Sequence, residues 1–158
     1  MLNFVLDFLF PKTCGICNQI CKDSLCKKCK LKLKQIEKLK LIYNKDKYFD
    51  KHLFLFQYEG IIREKIIQYK FNDKPYLFET FAKIILNNEK ICGILKNYDI
   101  IIPVPMYLKK EKRRGYNQVS LIAKEIAKKL ENLEYIDNCL IKIRWQQNAK
   151  QLKKKCKS

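Results

Sequence analysis

Four of the eight cysteines fall as Cys14-Gly15-Ile16-Cys17 and Cys26-Lys27-Lys28-Cys29, a C-x2-C-x8-C-x2-C pattern. Each C-x-x-C turn can set two thiolates on one side, and the intervening segment can fold back to complete a tetrahedron. Four sulfur ligands with no position left for water predict a structural Zn²⁺ on Cys14, Cys17, Cys26 and Cys29, at metal–sulfur distances of about 2.3 Å. Lys22, Lys27, Lys28 and Lys30 surround the pattern and favour thiolate over thiol. An iron–sulfur cluster is the competing occupant. Cys21 is a fifth thiol inside the loop and reads as a spare, the alternative being that it displaces one of the four. A redox pair would need a strand-to-helix setting that this segment does not offer.

A second constellation runs from Pro103-Val104-Pro105 to Arg113-Arg114-Gly115-Tyr116-Asn117-Gln118. It follows an apolar run and leads into a helical pattern, so it should lie where open α/β sheets bind ligands, outside the carboxyl ends of the strands. Basic side chains before a helix amino end make an anion site, with phosphate or pyrophosphate as the natural guest. Gly115 allows close backbone approach, and Asn117 and Gln118 can donate and accept hydrogen bonds. The competing reading makes Arg113 and Arg114 solvated charges and Asn117 a helix cap. No residue is assigned as catalytic, and the single histidine, His52, receives no role.

The elements that would position these groups follow from periodicity. Residues 2–10 are apolar and stop at Pro11, as a short packed helix would. Leu31, Ile36, Leu39 and Ile42 recur among lysines, which predicts an amphipathic helix across 31–42. Asn44–Asp50 is polar and reads as a linker, followed by a strand over Leu53–Tyr58. Helices are expected over Ile61–Tyr69 and Tyr76–Asn87, with Pro75 in the first turn of the second. Tyr98–Pro105 reads as a strand buried on both faces of a parallel sheet. A helix over Asn117–Asn132 should turn Val119, Ile122, Ala123, Ile126, Ala127 and Leu130 inward, and Leu140–Arg144 is the next expected strand. Strand, loop, helix, strand is a βαβ crossover, so the class is α/β. The expected division is a four-cysteine module over 1–45 and a larger domain over 46–158.

The 158 residues carry a net charge of +18, which attracts polyanions. The basic residues are mostly Lys, and Gly and Pro number four each, so part of that charge reflects coding bias. Apolar residues at 47% exclude a disordered or collagen-like chain. No apolar run approaches the roughly 18 residues of a membrane span, so no membrane insertion is expected. The amino-terminal segment has no basic start and holds Asp7 among its apolar residues, unlike a signal peptide, so the expected compartment is the cytoplasm. The stretch from Lys142 to Ser158 is basic without an acid and reads as a cationic tail.

Several pieces occur in an order that resembles the ComF family, zinc-containing, phosphoribosyltransferase-like proteins of bacterial competence. They are Phe8-Leu9-Phe10-Pro11, the two C-x2-C pairs, Tyr58-Glu59-Gly60 with Ile62-Arg63, Tyr69-Lys70-Phe71, Asp99 with Pro103-Val104-Pro105, and Arg114-Gly115-Tyr116-Asn117-Gln118. The resemblance covers essentially the whole chain. It implies a type I phosphoribosyltransferase fold, with Pro103, Val104 and Pro105 where pyrophosphate is handled and Lys70 as an added anion contact. It also implies a part in handling incoming single-stranded DNA during transformation, with a competence helicase among the partners.

The departure from the family pattern matters as much. Complete members continue into a strand ending in two acidic residues and a Thr-Thr-Gly loop, which serve ribose, Mg²⁺ and the 5-phosphate of phosphoribosyl pyrophosphate. No adjacent acidic pair and no Thr-Thr occur in this sequence. The family's Gln-containing stretch corresponds to Gln147 or to Gln151. The expectation is an incomplete phosphoribosyltransferase-like parallel sheet without transferase activity, with Mg²⁺ and the phosphoribosyl donor confined to complete members. The alternatives are a zinc-containing single-stranded nucleic-acid-binding module or a non-functional gene fragment. In the binding module, Lys22–Lys51 and the tail would meet phosphates, and Tyr107, Tyr116 and Trp145 would stack on bases.

Overall fold

A computed structural model describes residues 11–43 and 48–143. The helix expected over 2–10, most of the 44–50 linker, Arg144, Trp145, Gln147, Gln151 and the tail beyond 143 lie outside the described residues. The described chain is mixed α/β, with helices around two small sheets.

The first helix, α1 (Lys27–Ile36), takes its rotation from the thiols. Cys26 caps it, its Sγ accepting the Cys29 N–H at 3.4 Å, and the buried stripe is Cys29 and Leu33. At 3.6 residues per turn, Leu31 lies about 200° round from Cys29, and it is 65% exposed. The expected Leu31–Ile42 helix is therefore corrected: the helix ends at Ile36 with an extended Glu37 as its cap, and Lys38 donates its N–H to Leu55 O at 2.8 Å. Beyond it β1 (Lys40–Tyr43) pairs antiparallel with β2 (Lys51–Phe54), Lys40 facing Phe54 and Tyr43 facing Lys51. The second strand begins before the expected Leu53 and ends at Phe54, and Leu55 turns into the core.

Helix α2 (Gly60–Phe71) buries Ile62, Lys65 and Tyr69, and α3 (Leu77–Leu86) buries Leu77, Thr80, Ala82 and Ile84. Both helices stand where periodicity places them; Pro75 falls just ahead of the Tyr76 cap of α3. Helix α4 (Glu89–Leu95), capped by Asn88, is an element that the sequence pattern does not announce. Next come β3 (Ile100–Ile101), α5 (Leu108–Arg114), α6 (Gln118–Ala127) and β4 (Glu134–Tyr135). The pair β3–β4 is parallel, with Ile100 opposite Glu134 and Ile101 opposite Tyr135, so the βαβ crossover is present.

Its dimensions differ from the expectation. Ile100, Ile102 and Val104 are 48%, 41% and 70% exposed, so the doubly buried strand over 98–105 is corrected to a short one covered on the Ile101 face. A strand is buried on both faces only where helices cover both. The expected strand at Leu140–Arg144 is also corrected. Its role falls to Glu134–Tyr135, while Leu140, Ile141 and Ile143 are exposed outside any strand. Helix α6 stops at Ala127 and buries Gln118, Ala123 and Ile126; Val119 is 46% exposed rather than inward.

Helix α3 joins two cores. Ile84 belongs to one with Cys14, Leu25, Cys29, Leu33, Leu55, Ile62 and Ile91; Ala82 belongs to the other with Ile126 and Leu133. The cysteine segment is thus packed into the first core. Thr80 donates its hydroxyl to Ser24 O at 2.9 Å, and Lys83 pairs with Asp23 at 2.7 Å. A Cβ on Gly15 would come within 2.2 Å of Thr80 Oγ1 and 2.7 Å of Leu77 Cδ2. Gly93, inside α4, has open space where its Cβ would be.

Gly15→Ala should therefore destabilise by about 1–3 kcal/mol through overpacking, while Gly93→Ala should be neutral or stabilise by up to about 1 kcal/mol through helix propensity. Urea midpoints of the two variants check both signs.

Candidate metal centre and anion cleft

The first C-x-x-C pair sits in a tight turn closed by a Thr13–Ile20 bridge, with Cys14 N–H donating to Gln19 O at 2.9 Å and Asn18 N–H to Cys14 O at 2.8 Å. Asn18, directly after Cys17, takes φ 61, a left-handed conformation that Asn tolerates better than most residues. The second pair is built into the amino end of α1, Cys26 as the cap and Cys29 in the first turn. Free N–H groups and the helix dipole favour negative sulfur there.

These two supports bring the four Sγ atoms within 4.8 Å of one another. A tetrahedron with metal–sulfur bonds of about 2.3 Å needs sulfurs about 3.8 Å apart, and Cys17 Sγ lies 3.8 Å from Cys26 Sγ. The donor set and its spacing fit a four-thiolate metal ion. Cys14 and Cys29 are buried, Cys26 half-buried and Cys17 exposed. Cys21 is outside the group, and its thiol donates to Asp23 O at 2.8 Å.

Burial pushes the Cys14 thiol up, but N–H groups of Cys26, Cys17 and Ile16 donate to its sulfur and bring it down to about 6. Cys29 moves the other way, raised by burial and by its three sulfur neighbours. The protein's own dipoles thus favour one thiolate readily. Burial and the crowded sulfurs oppose a thiolate at Cys29, an effect that a cation among them would offset.

The second site forms where α5 meets α6. Gly115 ends α5 at φ 82, a conformation suited to glycine, with its N–H donating to Glu111 O at 2.7 Å. Asn117 then caps α6: its Oδ1 accepts the Val119 N–H at 3.1 Å, and its Nδ2 donates to Val104 O at 3.3 Å. That second bond ties the Pro-Val-Pro segment to the helix start. Between them lies a cleft of about 290 Å³ lined by Lys70, Val104, Pro105, Tyr107, Lys110, Arg114, Asn117, Gln118 and Lys142 among others, with four cations and no acid.

Arg114 is held from two sides. Its guanidinium donates to Gln118 Oε1 and lies 5.4 Å from the Phe71 ring centroid. Burial pulls it down from its ordinary value, though it keeps its charge. Gln118 is 4% exposed and its Nε2 is buried without a partner, a donor left for something in the cleft. Below it, Tyr69 donates its hydroxyl to Gln118 O at 2.8 Å and Tyr116 donates to Tyr69 O at 2.8 Å.

Of the residues singled out in sequence, Lys70, Val104, Pro105, Arg114, Asn117 and Gln118 come together in this cleft. Pro103 is buried, Arg113 is exposed and Gly115 ends α5; none of the three is in the lining. Sequence reasoning misses Tyr69, Phe71 and Tyr116 as site residues, although they hold Arg114 and Gln118 in place. The run Tyr69-Lys70-Phe71 is their visible signal. A larger cleft of about 600 Å³ is lined by Lys12, Lys22, Lys83 and Lys129 together with Asp23, Glu79 and Glu125, among others. Its mixed charges do not favour an anion.

Competence protein F of Haemophilus influenzae is 29% identical over 86 residues, 52% of this chain and 38% of that protein. The match thus spans well under half of the relative's length. No protein-family model matches the chain, and no solved structure does. Together with the four-cysteine cluster, the similarity supports a ComF-like relationship.

Burial raises the Tyr69 phenol above its ordinary 10.0, with the neighbouring Tyr116 adding to the effect. A raised folded-state value means that this stability is complete below about pH 10 and falls as pH climbs beyond it. Tyr69→Phe should lose about 0.5–1.5 kcal/mol at about pH 8 and then fall less steeply than the parent between about pH 10 and 11. Urea unfolding at the three pH values checks this.

Proposed function

We propose that this chain is a ComF-like protein of natural competence, acting in DNA uptake from the cytoplasmic side. The similarity to Competence protein F carries the role. The scaffold is read as a four-cysteine zinc module over 1–45 joined to a partial phosphoribosyltransferase-like domain over 46–158. Supporting the second part are the parallel β3–β4 pair with its helical crossover and the anion cleft at the carboxyl end of β3. Among the described residues no helix is long and apolar enough to cross a membrane. The partners in this reading are single-stranded DNA and a competence helicase.

Zinc is the proposed metal because four thiolates at tetrahedral spacing suit it and leave no open position for chemistry. The metal would hold the turn at Cys14–Cys17 against the start of α1, and its charge would offset two of the four thiolates. The cleft is proposed to bind phosphate or pyrophosphate. Arg114 and Lys70 supply charge, Gln118 Nε2 supplies the unpaired donor, and Val104, Pro105 and Asn117 shape the wall. The reading assigns phosphate or pyrophosphate binding to this cleft.

Protein purified without chelator should carry one zinc per chain by elemental analysis, and Cys26→Ser should release it; retention of the metal by the variant would contradict the ligand assignment. Calorimetry with pyrophosphate should show binding that Arg114→Ala weakens about 10-fold or more, the scale of a lost charge-assisted contact. Phosphoribosyl pyrophosphate should bind no tighter than pyrophosphate. Unchanged affinity in Arg114→Ala would return that side chain to a purely structural part.

A further inference from the structure

The β1–β2 hairpin carries a concentration of exposed aromatic side chains that the fold does not use. Tyr43, Tyr48 and Phe49 are 66%, 108% and 47% exposed. On one face, Tyr43 stands opposite Lys51, whose Nζ lies 5.8 Å from the Tyr43 ring centroid. On the other, the Phe49, His52 and Phe54 rings follow one another at centroid spacings of 6.2 Å. Lys40 faces Phe54 across the ladder. Asp50 is the one acid between Tyr48 and Phe54. Rings left in water beside ammonium groups, on a chain of net charge +18, complement a ligand with flat apolar faces and a regular negative backbone.

The aromatics expected in sequence to stack on bases are otherwise engaged or undescribed. Tyr116 is half-buried with its hydroxyl donated to Tyr69 O, Tyr107 lies in the anion cleft, and Trp145 is outside the described residues. The hairpin, by contrast, offers its rings to solvent.

We propose that one face of this hairpin is the platform on which single-stranded DNA binds, with bases stacking on Tyr48, Phe49 and His52 and phosphates meeting Lys40. The proposal rests on the DNA-handling reading above and names the surface that performs it. Stacking reads the π-face common to all bases, so binding is tolerant of sequence. Duplex DNA hides those faces and binds more weakly.

The test is fluorescence anisotropy of the zinc-loaded full chain with labelled oligo-dT across a salt series, beside inorganic polyphosphate as a ligand with charge but no bases. The triple variant Tyr48→Ala, Phe49→Ala, His52→Ala should lose about 5- to 100-fold in oligo-dT affinity, the range for removing stacking on even one base. It should keep its salt slope and its polyphosphate affinity. Lys40→Ala should instead flatten the slope by about 0.7 for the phosphate contact removed. Tyr48→Ala alone, at a fully exposed position, should weaken oligo-dT binding even if the triple variant fails to fold. Failure of the parent chain to bind oligo-dT would overturn both this surface and the DNA-handling reading. Binding that the aromatic substitutions leave unchanged would overturn the surface alone. So would an equal loss towards polyphosphate, or binding to phosphatidylserine vesicles in place of oligo-dT.

Discussion

Two of the four clustered thiols, Cys14 and Cys29, are part of the hydrophobic core, and much of the fold follows from that placement. A small cysteine turn has too little apolar surface to order itself and relies on the metal for much of its folding energy. Here it also has a neighbour. Gly15 sits against Thr80 and Leu77 so closely that no side chain fits, and Ser24 accepts the Thr80 hydroxyl. The fixed thiols set the rotation of α1, and α1 delivers the chain into β1. The hairpin is thereby presented beside the core, with Tyr43 and Tyr48 exposed.

Helix α3 carries this arrangement to the rest of the molecule. Thr80 and Leu77 face the cysteine turn, Ile84 enters the core that holds Cys14 and Cys29, and Ala82 faces α6. Tyr69 of α2 lies against Phe81 of α3, ring centroids 5.4 Å apart, and reaches Gln118 at the start of α6. The basic cleft is thus held by a chain of packed side chains that begins at α3. Its cations stand on three pieces of chain: Lys70 at the end of α2, Lys110 and Arg114 on α5, and Lys142 beyond β4. The folded arrangement, more than any local motif, sets their spacing.

The parts legible in sequence are those governed by short-range rules. The C-x2-C spacing foretells the thiol cluster, and apolar periodicity locates α2, α3 and the start of α6. Asn117 serves as the helix cap that the competing reading offers, and it also ties Val104 to α6. What escapes is set by partners distant in sequence. Leu39 and Ile42 match a helical stripe, yet Cys29 and Leu33 claim the inner face and send the chain beyond Glu37 towards a strand. Ile100, Ile102 and Val104 read as buried because they are apolar, but β3 pairs with β4 alone among the described residues. Exposed aromatics such as Tyr43 and Tyr48 are indistinguishable from core material until the register of the hairpin is known.

The four-thiol cluster and the α3 core are read as one cooperative unit. Amide hydrogen exchange of the zinc-loaded chain, before and after removal of the metal by a chelator, tests it most directly. The account predicts that Thr80–Ile84 lose protection together with the cysteine turn and α1. Loss of protection confined to residues 12–36, with α3 still protected, would contradict it.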